Sequence, residues 1–263
     1  MSNGLNVLRK RQEVFLLLAI GLLLALAIGG ALGALGSGGS ILALPMLVYV
    51  LRVPPTSAVP MSMVIVGLAS IGATFLKWRQ GAVNWRAWML LSSTGVIGAY
   101  LGSGLTHLFQ SSILMMLFAS ILLGVGILML RNPERRLHVT QCQISRCLAA
   151  GALVGLLTGF LGVGGGFLLV PTLILFAGLD LKSALGTSVG IISVNSMAGI
   201  LGHLRFAPID WKLTGLMLGA TVLGVVFGVA VAKRLPEEVL RRGLAAVMII
   251  IGLWTGGAAL LNL

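Results

Sequence analysis

Seven stretches of the chain, 14–51, 56–76, 87–130, 147–179, 183–204, 213–232 and 243–263, contain no Asp, Glu, Lys or Arg, and all the charge falls in the segments between them. A helix crossing a hydrocarbon core of ~30 Å needs about 20 predominantly apolar residues. Several stretches are long enough for two passes. The pattern predicts an all-α, polytopic membrane protein with about 8–10 transmembrane segments.

Laying the chain over itself with a shift of 126 residues brings out an internal repeat. Gly33, Leu35, Gly36, Gly38, Gly39, Leu42 and Pro45 fall on Gly159, Leu161, Gly162, Gly164, Gly165, Leu168 and Pro171. The register continues without a gap: Ser57, Ala58 and Ser62 match Ser183, Ala184 and Ser188, Arg79 and Trp85 match Arg205 and Trp211, and Gly98, Gly102 and Gly126 match Gly224, Gly228 and Gly252. A run of mixed residue types over so many positions implies duplication, with a first repeat over 1–137 and a second over 138–263. Each half reads as a helix into a glycine cluster, a short apolar arm (41–51 and 167–177), and three further helices.

At about 1.5 Å per residue, an eleven-residue arm covers roughly half of the hydrocarbon core. Paired short, Gly/Pro-interrupted segments at corresponding places in two halves point to a transporter binding site near the midplane. The number of passes stays open. Five per half with the N-terminus outside, or four per half with it inside, both place 12 basic residues inside and 6 outside, so the positive-inside rule does not choose. Five per half would invert the second repeat; four would leave the repeats parallel.

The clusters Gly36-Ser37-Gly38-Gly39-Ser40 and Gly162-Val163-Gly164-Gly165-Gly166 should break their helices, since interior glycine costs up to about 1 kcal/mol relative to alanine. At membrane depth such a break is tolerated where it is buried in protein or lines a wet cavity. The arm restarting after it presents unpaired N–H groups and a positive dipole end, which together suit an anion. Close helix packing is the competing account, and it is the preferred one for Gly98, Gly102, Gly224 and Gly228, which stand four apart on helical faces.

Among the few polar residues in the apolar stretches, Ser62 and Ser188 are duplicated just inside the helix after each arm, and Thr187 precedes Ser188. Hydroxyls commonly bond their own helix, so these are ligand candidates weighed against a local role. Asn195, an amide deep in hydrocarbon, must find a partner in a ligand or another helix. Ser193 and Ser196 share its segment, and Ser70 accompanies Ser62 in the first half. His203 and Arg205 close one segment, with Lys77 and Arg79 at the matching places of the first half. Such residues mark the membrane interface, and a basic ring at a vestibule mouth would also concentrate anions.

Charge and composition narrow the chemistry further. The balance of 18 basic to 6 acidic residues would suggest nucleic acid in a soluble domain, but here it lies in short connections and reads as membrane topology. No carboxylate lies deep in a span, which disfavours a cationic cargo. Cys142 and Cys147 match no zinc or redox spacing and read as two ordinary thiols. The sequence contains no catalytic motif and calls for no cofactor or metal. The glycine clusters also lack the strand and βαβ context of a dinucleotide site.

The duplicated G-x-G-G-G-like core with its proline five or six residues on, the Ser-Ala-x-Gly-Thr-Ser run at Ser183 to Ser188, and His203-x-Arg205 followed by Asp210-Trp211 together resemble the TauE/SafE sulfite exporter family, also called the toluene sulfonate uptake permease family. The resemblance runs from about Gly21 to the end of the chain. It implies a multi-pass protein of the bacterial inner membrane, acting as a secondary transporter and exporter of sulfite, a sulfonate or a related sulfur-containing anion; a passive anion channel is the alternative. The implied contacts are Gly36, Ser37, Gly38, Gly39, Ser40, Ser62, Gly162, Gly164, Gly165, Gly166, Thr187, Ser188, Asn195, His203 and Arg205. The partners are the small anion and the lipid bilayer, a homodimer being left open. The first half departs from the second: Ser40 stands where the second half has Gly166, and Pro60-Met61 replace Gly186-Thr187. The second cluster is therefore expected to supply the main contacts.

Overall fold

A computed structural model of the chain describes residues 2–106, 111–131, 144–161, 166–203 and 208–260. Helix α1 (Ser2–Leu35) runs into a tight 3-10 turn, Gly36–Gly39, which leads into α2 (Ser40–Pro45) and a π-helical turn, Met46–Val50. Then come α3 (Pro55–Trp78), α4 (Trp85–Leu105) and α5 (Ser111–Arg131). The second half supplies α6 (Ile144–Leu161), α7 (Gly166–Ala177), α8 (Leu181–His203), α9 (Trp211–Ala232) and α10 (Glu237–Leu260). Among the described residues there is no strand. The predicted arms appear as the short apolar helices Ser40–Val50 and Gly166–Ala177.

Local chemistry sets the boundaries. Gly36 adopts φ +61°, a left-handed conformation that ends α1 and that a Cβ would penalise. Pro45 lacks an N–H and its ring disturbs the preceding turn, and the wider π turn begins at the next residue. Asn84 Oδ1 accepts the Ala87 N–H at 3.0 Å to cap α4, and Asp210 Oδ1 accepts the Leu213 N–H at 3.0 Å to cap α9. These two caps stand 126 residues apart.

Among the described residues seven helices, α1, α3, α5, α6, α8, α9 and α10, are long and apolar enough to cross a membrane. Helix α4 is diluted by Ser92, Ser93, Thr94 and four glycines, yet its 21 residues reach about 31 Å and run alongside α6 and α8, so it crosses with them. Burial identifies the centre: 83% of the α8 span and 67% of the α3 span are buried, against 33–44% for the other five.

Contacts between glycines and neighbouring helices fix the directions. Gly67 meets Ser196, Gly199 meets Met63 and Gly190 meets Thr74, so α3 and α8 are antiparallel. Gly95 meets Asn195 and Gly202 meets Ser103, so α4 and α8 are parallel. Each arm folds back along the helix before it. In the first half Gly39 lies on the backbone of Ile28 and Leu32 while Gly21 meets Leu51; in the second, Cys147 Sγ lies 3.6 Å from the Phe176 carbonyl oxygen. Each arm thus reverses the chain within about half the core thickness, and α3 and α8, at corresponding places in the two halves, run in opposite directions. Four parallel passes per half are thereby set aside. The connections 79–84, 178–180 and 233–236 share one face of the bundle; 51–54 and 208–210 share the other.

One packing pattern occurs twice. A methyl group on Gly29 would lie 1.9 Å from the Thr221 carbonyl oxygen, one on Gly33 2.4 Å from that of Val225, one on Gly224 2.1 Å from that of Leu26, and one on Gly228 2.0 Å from that of Gly30. Displaced by 126 residues, the same approaches join Gly155 to Gly95, Gly159 to Ala99, Gly98 to Ala152 and Gly102 to Leu156, at 2.2, 1.9, 2.3 and 2.1 Å. Small residues let helix backbones come this close in a membrane. Helix α1 of the first half therefore seats on α9 of the second, and α6 seats on α4.

Candidate functional site

The buried interface of α3, α4 and α8 contains polar atoms that the protein does not satisfy. Asn195 is fully buried, and neither its Oδ1 nor its Nδ2 has a hydrogen-bond partner. Its amide covers Gly95 so closely that a methyl group there would lie 2.7 Å from Oδ1. The hydroxyls of Ser70, Ser92 and Ser196 and the indole Nε1 of Trp88 are also buried without a partner. Orphaned polar atoms are uncommon in folded proteins, and each costs about 1–3 kcal/mol. Five side chains on three adjoining helices thus carry buried polar atoms that the protein leaves unsatisfied.

The other sequence candidates divide into several groups. Gly36, Gly38 and Gly39 form the first break, and packing accounts for much of their composition. A Cβ on Gly36 would lie 2.6 Å from the Leu185 carbonyl oxygen, one on Gly38 2.8 Å from Leu244 Cδ1, and one on Gly39 2.3 Å from the Ile28 carbonyl oxygen. Close approach of a ligand is thus not needed to explain these glycines. Ser40 is fully buried beside them. The turn touches α7 and α8, and α2 touches α7, so the two arms meet. Gly166 opens α7 and is buried. The side chain of Ser37, and Gly162, Gly164, Gly165 and Arg205, lie outside the described residues.

Ser62 and Ser188 are fully buried, and each hydroxyl donates to its own helix, to the Val59 carbonyl at 2.7 Å and the Leu185 carbonyl at 3.0 Å. In this arrangement their protons are engaged, and what they turn outward is acceptor capacity rather than the donors expected of them. Ser188 still borders the first break: its Oγ lies 3.1 Å from where a Gly36 Cβ would stand. Thr187 Oγ1 accepts the Asn84 N–H at 2.9 Å and ties α8 to the start of α4. His203 is fully buried rather than at an open mouth, and its Nε2 lies 3.0 Å from the Gly159 carbonyl oxygen. A carbonyl only accepts, so Nε2 carries the hydrogen. The bond pins the end of α8 to α6 three residues before the second glycine cluster.

One expectation is corrected. Cys147 is buried and disulfide-bonded, so it is not the ordinary thiol that its spacing suggested. Among the described residues no group of His, Cys, Asp or Glu is arranged to hold a metal ion. The unsatisfied groups on α3, α4 and α8 are indole, amide and hydroxyl, with no carboxylate among them. Trp88 and Ser92 were missed because an indole and a serine in an apolar run are ordinary residues until their neighbours are known.

The sequence profile of the family described as Sulfite exporter TauE/SafE matches residues 20–255. A protein of Xylella fastidiosa (strain 9a5c) called a probable membrane transporter protein is 32% identical over 86% of this chain and 90% of its own length. A probable membrane transporter protein of Methanocaldococcus jannaschii is 25% identical over 93% of this chain and 98% of its own. Sulfite exporter TauE/SafE family protein 5 of Arabidopsis thaliana is 34% identical over 32% of this chain and 19% of its own. No solved structure matches the chain.

Proposed function

Since the chain belongs to the TauE/SafE sulfite exporter family and is a multi-pass membrane transporter, we propose that it is a secondary carrier exporting sulfite, a sulfonate or a related sulfur oxyanion. The observation that carries this reading is the fully buried Asn195, with both amide atoms unpartnered, at an interface of α3, α4 and α8 whose helices also carry the orphaned hydroxyls of Ser70, Ser92 and Ser196. An oxyanion accepts hydrogen bonds at every oxygen, so the Asn195 Nδ2 and freely rotating hydroxyls complement it. The absence of carboxylates from the described membrane interior fits the same sign of cargo.

The halves 1–137 and 138–263 are two inverted repeats in this reading, supported by the doubled glycine approaches and the antiparallel α3 and α8. The cargo sits where α3 and α8 cross, with the Gly36–Gly39 turn against α8. The test is sulfite flux into liposomes containing the purified protein. A carrier saturates and is accelerated by sulfite on the far side; Asn195→Ala should abolish flux while the variant remains folded and inserted. Single-channel currents in place of saturable exchange would refute a carrier, and normal flux through Asn195→Ala would remove Asn195 from the site.

A further inference from the structure

We propose, building on the reading that the cargo is a sulfur oxyanion, that Lys77 and the indole N–H of Trp88 form a second anion station, at the end of α3, α4 and α8 beside the 79–84 connection. Lys77 stands in the last turn of α3. Its neighbours Phe75 and Trp78 are 51% and 52% exposed and join Trp85 in an edge-to-face ladder, whereas Lys77 is 5% exposed. Aromatic ladders of this kind sit at the membrane interface. Lys77 is therefore at interface depth but turned inward, away from the lipid that a snorkelling lysine would follow outward.

Among the described residues this buried ammonium has no carboxylate counter-ion. Among the described residues the ion pairs are those of Glu238 with Arg241 and Arg242, at the start of α10. Asp180 is close in sequence to α8, but its Oδ2 accepts the Ser183 N–H. A second cation, Lys182, stands in the first turn of α8, at the same end of the antiparallel α3–α8 pair. Two cations with a buried member and no acid between them favour an anion at that point.

Trp88 supplies the second donor. Its Nε1 is buried without a partner and would lie 2.8 Å from a Cβ on Gly190, where Thr74 Cγ2 also comes within 3.4 Å. Thr74 and Lys77 are three apart on α3 and share a face. On α8, Lys182, Gly186 and Gly190 follow one another at spacings of four, so they too form a stripe. Glycine at 186 and 190 lets the Ala82 carbonyl and the Trp88 indole come directly onto α8, 2.1 and 2.8 Å from where a Cβ would stand, so the indole N–H reaches the helix end that carries the lysine pair. A charged donor and a neutral N–H at this helix end match the oxygens of a sulfite or sulfonate group. Asn195 lies five residues further along α8, about 8 Å deeper. The station delivers cargo to it, or takes cargo from it.

The experiment is a sulfite titration of the purified full chain in lipid nanodiscs, read by calorimetry and by tryptophan fluorescence, with methanesulfonate in parallel. Lys77→Met should weaken sulfite binding by about tenfold or more, the loss of one charge-assisted hydrogen bond. Lys77→Arg, keeping the charge, should stay within about threefold. Trp88→Phe, keeping the ring but not the N–H, should bind several-fold more weakly and lose the sulfite-induced fluorescence change. Wild-type affinity in both Lys77→Met and Trp88→Phe overturns the station while leaving the transport reading intact. Should Lys77→Met not fold, Trp88→Phe decides by the same criterion. A wild type that binds neither sulfite nor methanesulfonate overturns the transport reading, and the station with it.

Discussion

Asn195 separates cost to the fold from use in binding. An amide that makes no hydrogen bond within the protein contributes little to stability, because its desolvation opposes its packing. Asn195→Ala removes two orphaned polar atoms and leaves a small cavity, and these effects oppose each other. Its melting temperature should therefore stay near wild type, within about 1 kcal/mol of stability, while sulfite no longer raises it. A large drop in melting temperature without ligand would show the amide to be structural. Thr187 gives the contrasting case. Thr187→Val removes the acceptor for the Asn84 N–H and should destabilise the protein by about 1 kcal/mol in thermal unfolding. The sequence made Asn195 legible because an amide in an apolar run stands out. It could not show the burial of Lys77 or the orphaned Trp88 N–H, because helices that are apolar on every side carry no stripe to tell the inward face from the outward one.

The breaks and arms were legible for a different reason: glycine density and proline act locally, whatever the neighbours do. The arm expected at 41–51 is the helix Ser40–Val50, and that expected at 167–177 is Gly166–Ala177. What the sequence could not reveal is the tightness of the first turn, since the contacts of Gly36, Gly38 and Gly39 come from α8, α10 and α1. Gly36 and Gly81 separate the two demands on such a residue. Both have positive φ, +61° and +68°, but no atom lies within 4 Å of a Cβ placed on Gly81, whereas one on Gly36 would press on Leu185. Gly81→Ala should cost about 1–2 kcal/mol for the left-handed backbone. Gly36→Ala should cost clearly more in the same thermal unfolding measurement, and should also slow transport, because the turn must shift against Ser188. Equal costs would mean that the contact yields freely.

For the whole molecule, the helix directions make the charge count informative. Among the described residues the helix ends and connections on the 79–84 face carry 10 basic residues against 5 on the other, and that face is expected to be cytoplasmic with the N-terminus outside. Reporter fusions at the N-terminus and within 132–143 check this: the second should read cytoplasmic. The opposite result would give priority to the disulfide at Cys147, since disulfides persist in oxidising compartments. The glycine seats also show which parts can move together. Helix α1 is packed tightly on α9 and α6 on α4, each across the sequence halves, and a transport cycle is expected to keep each of these pairs together. Gly29→Leu and Gly155→Leu, which strike corresponding seats, should impair folded yield in detergent to a similar degree. There is a consequence for synthesis as well. The ribosome makes α1 well before its seat on α9, so that helix of the newborn protein waits in lipid without its mate while the seven helices between them are translated.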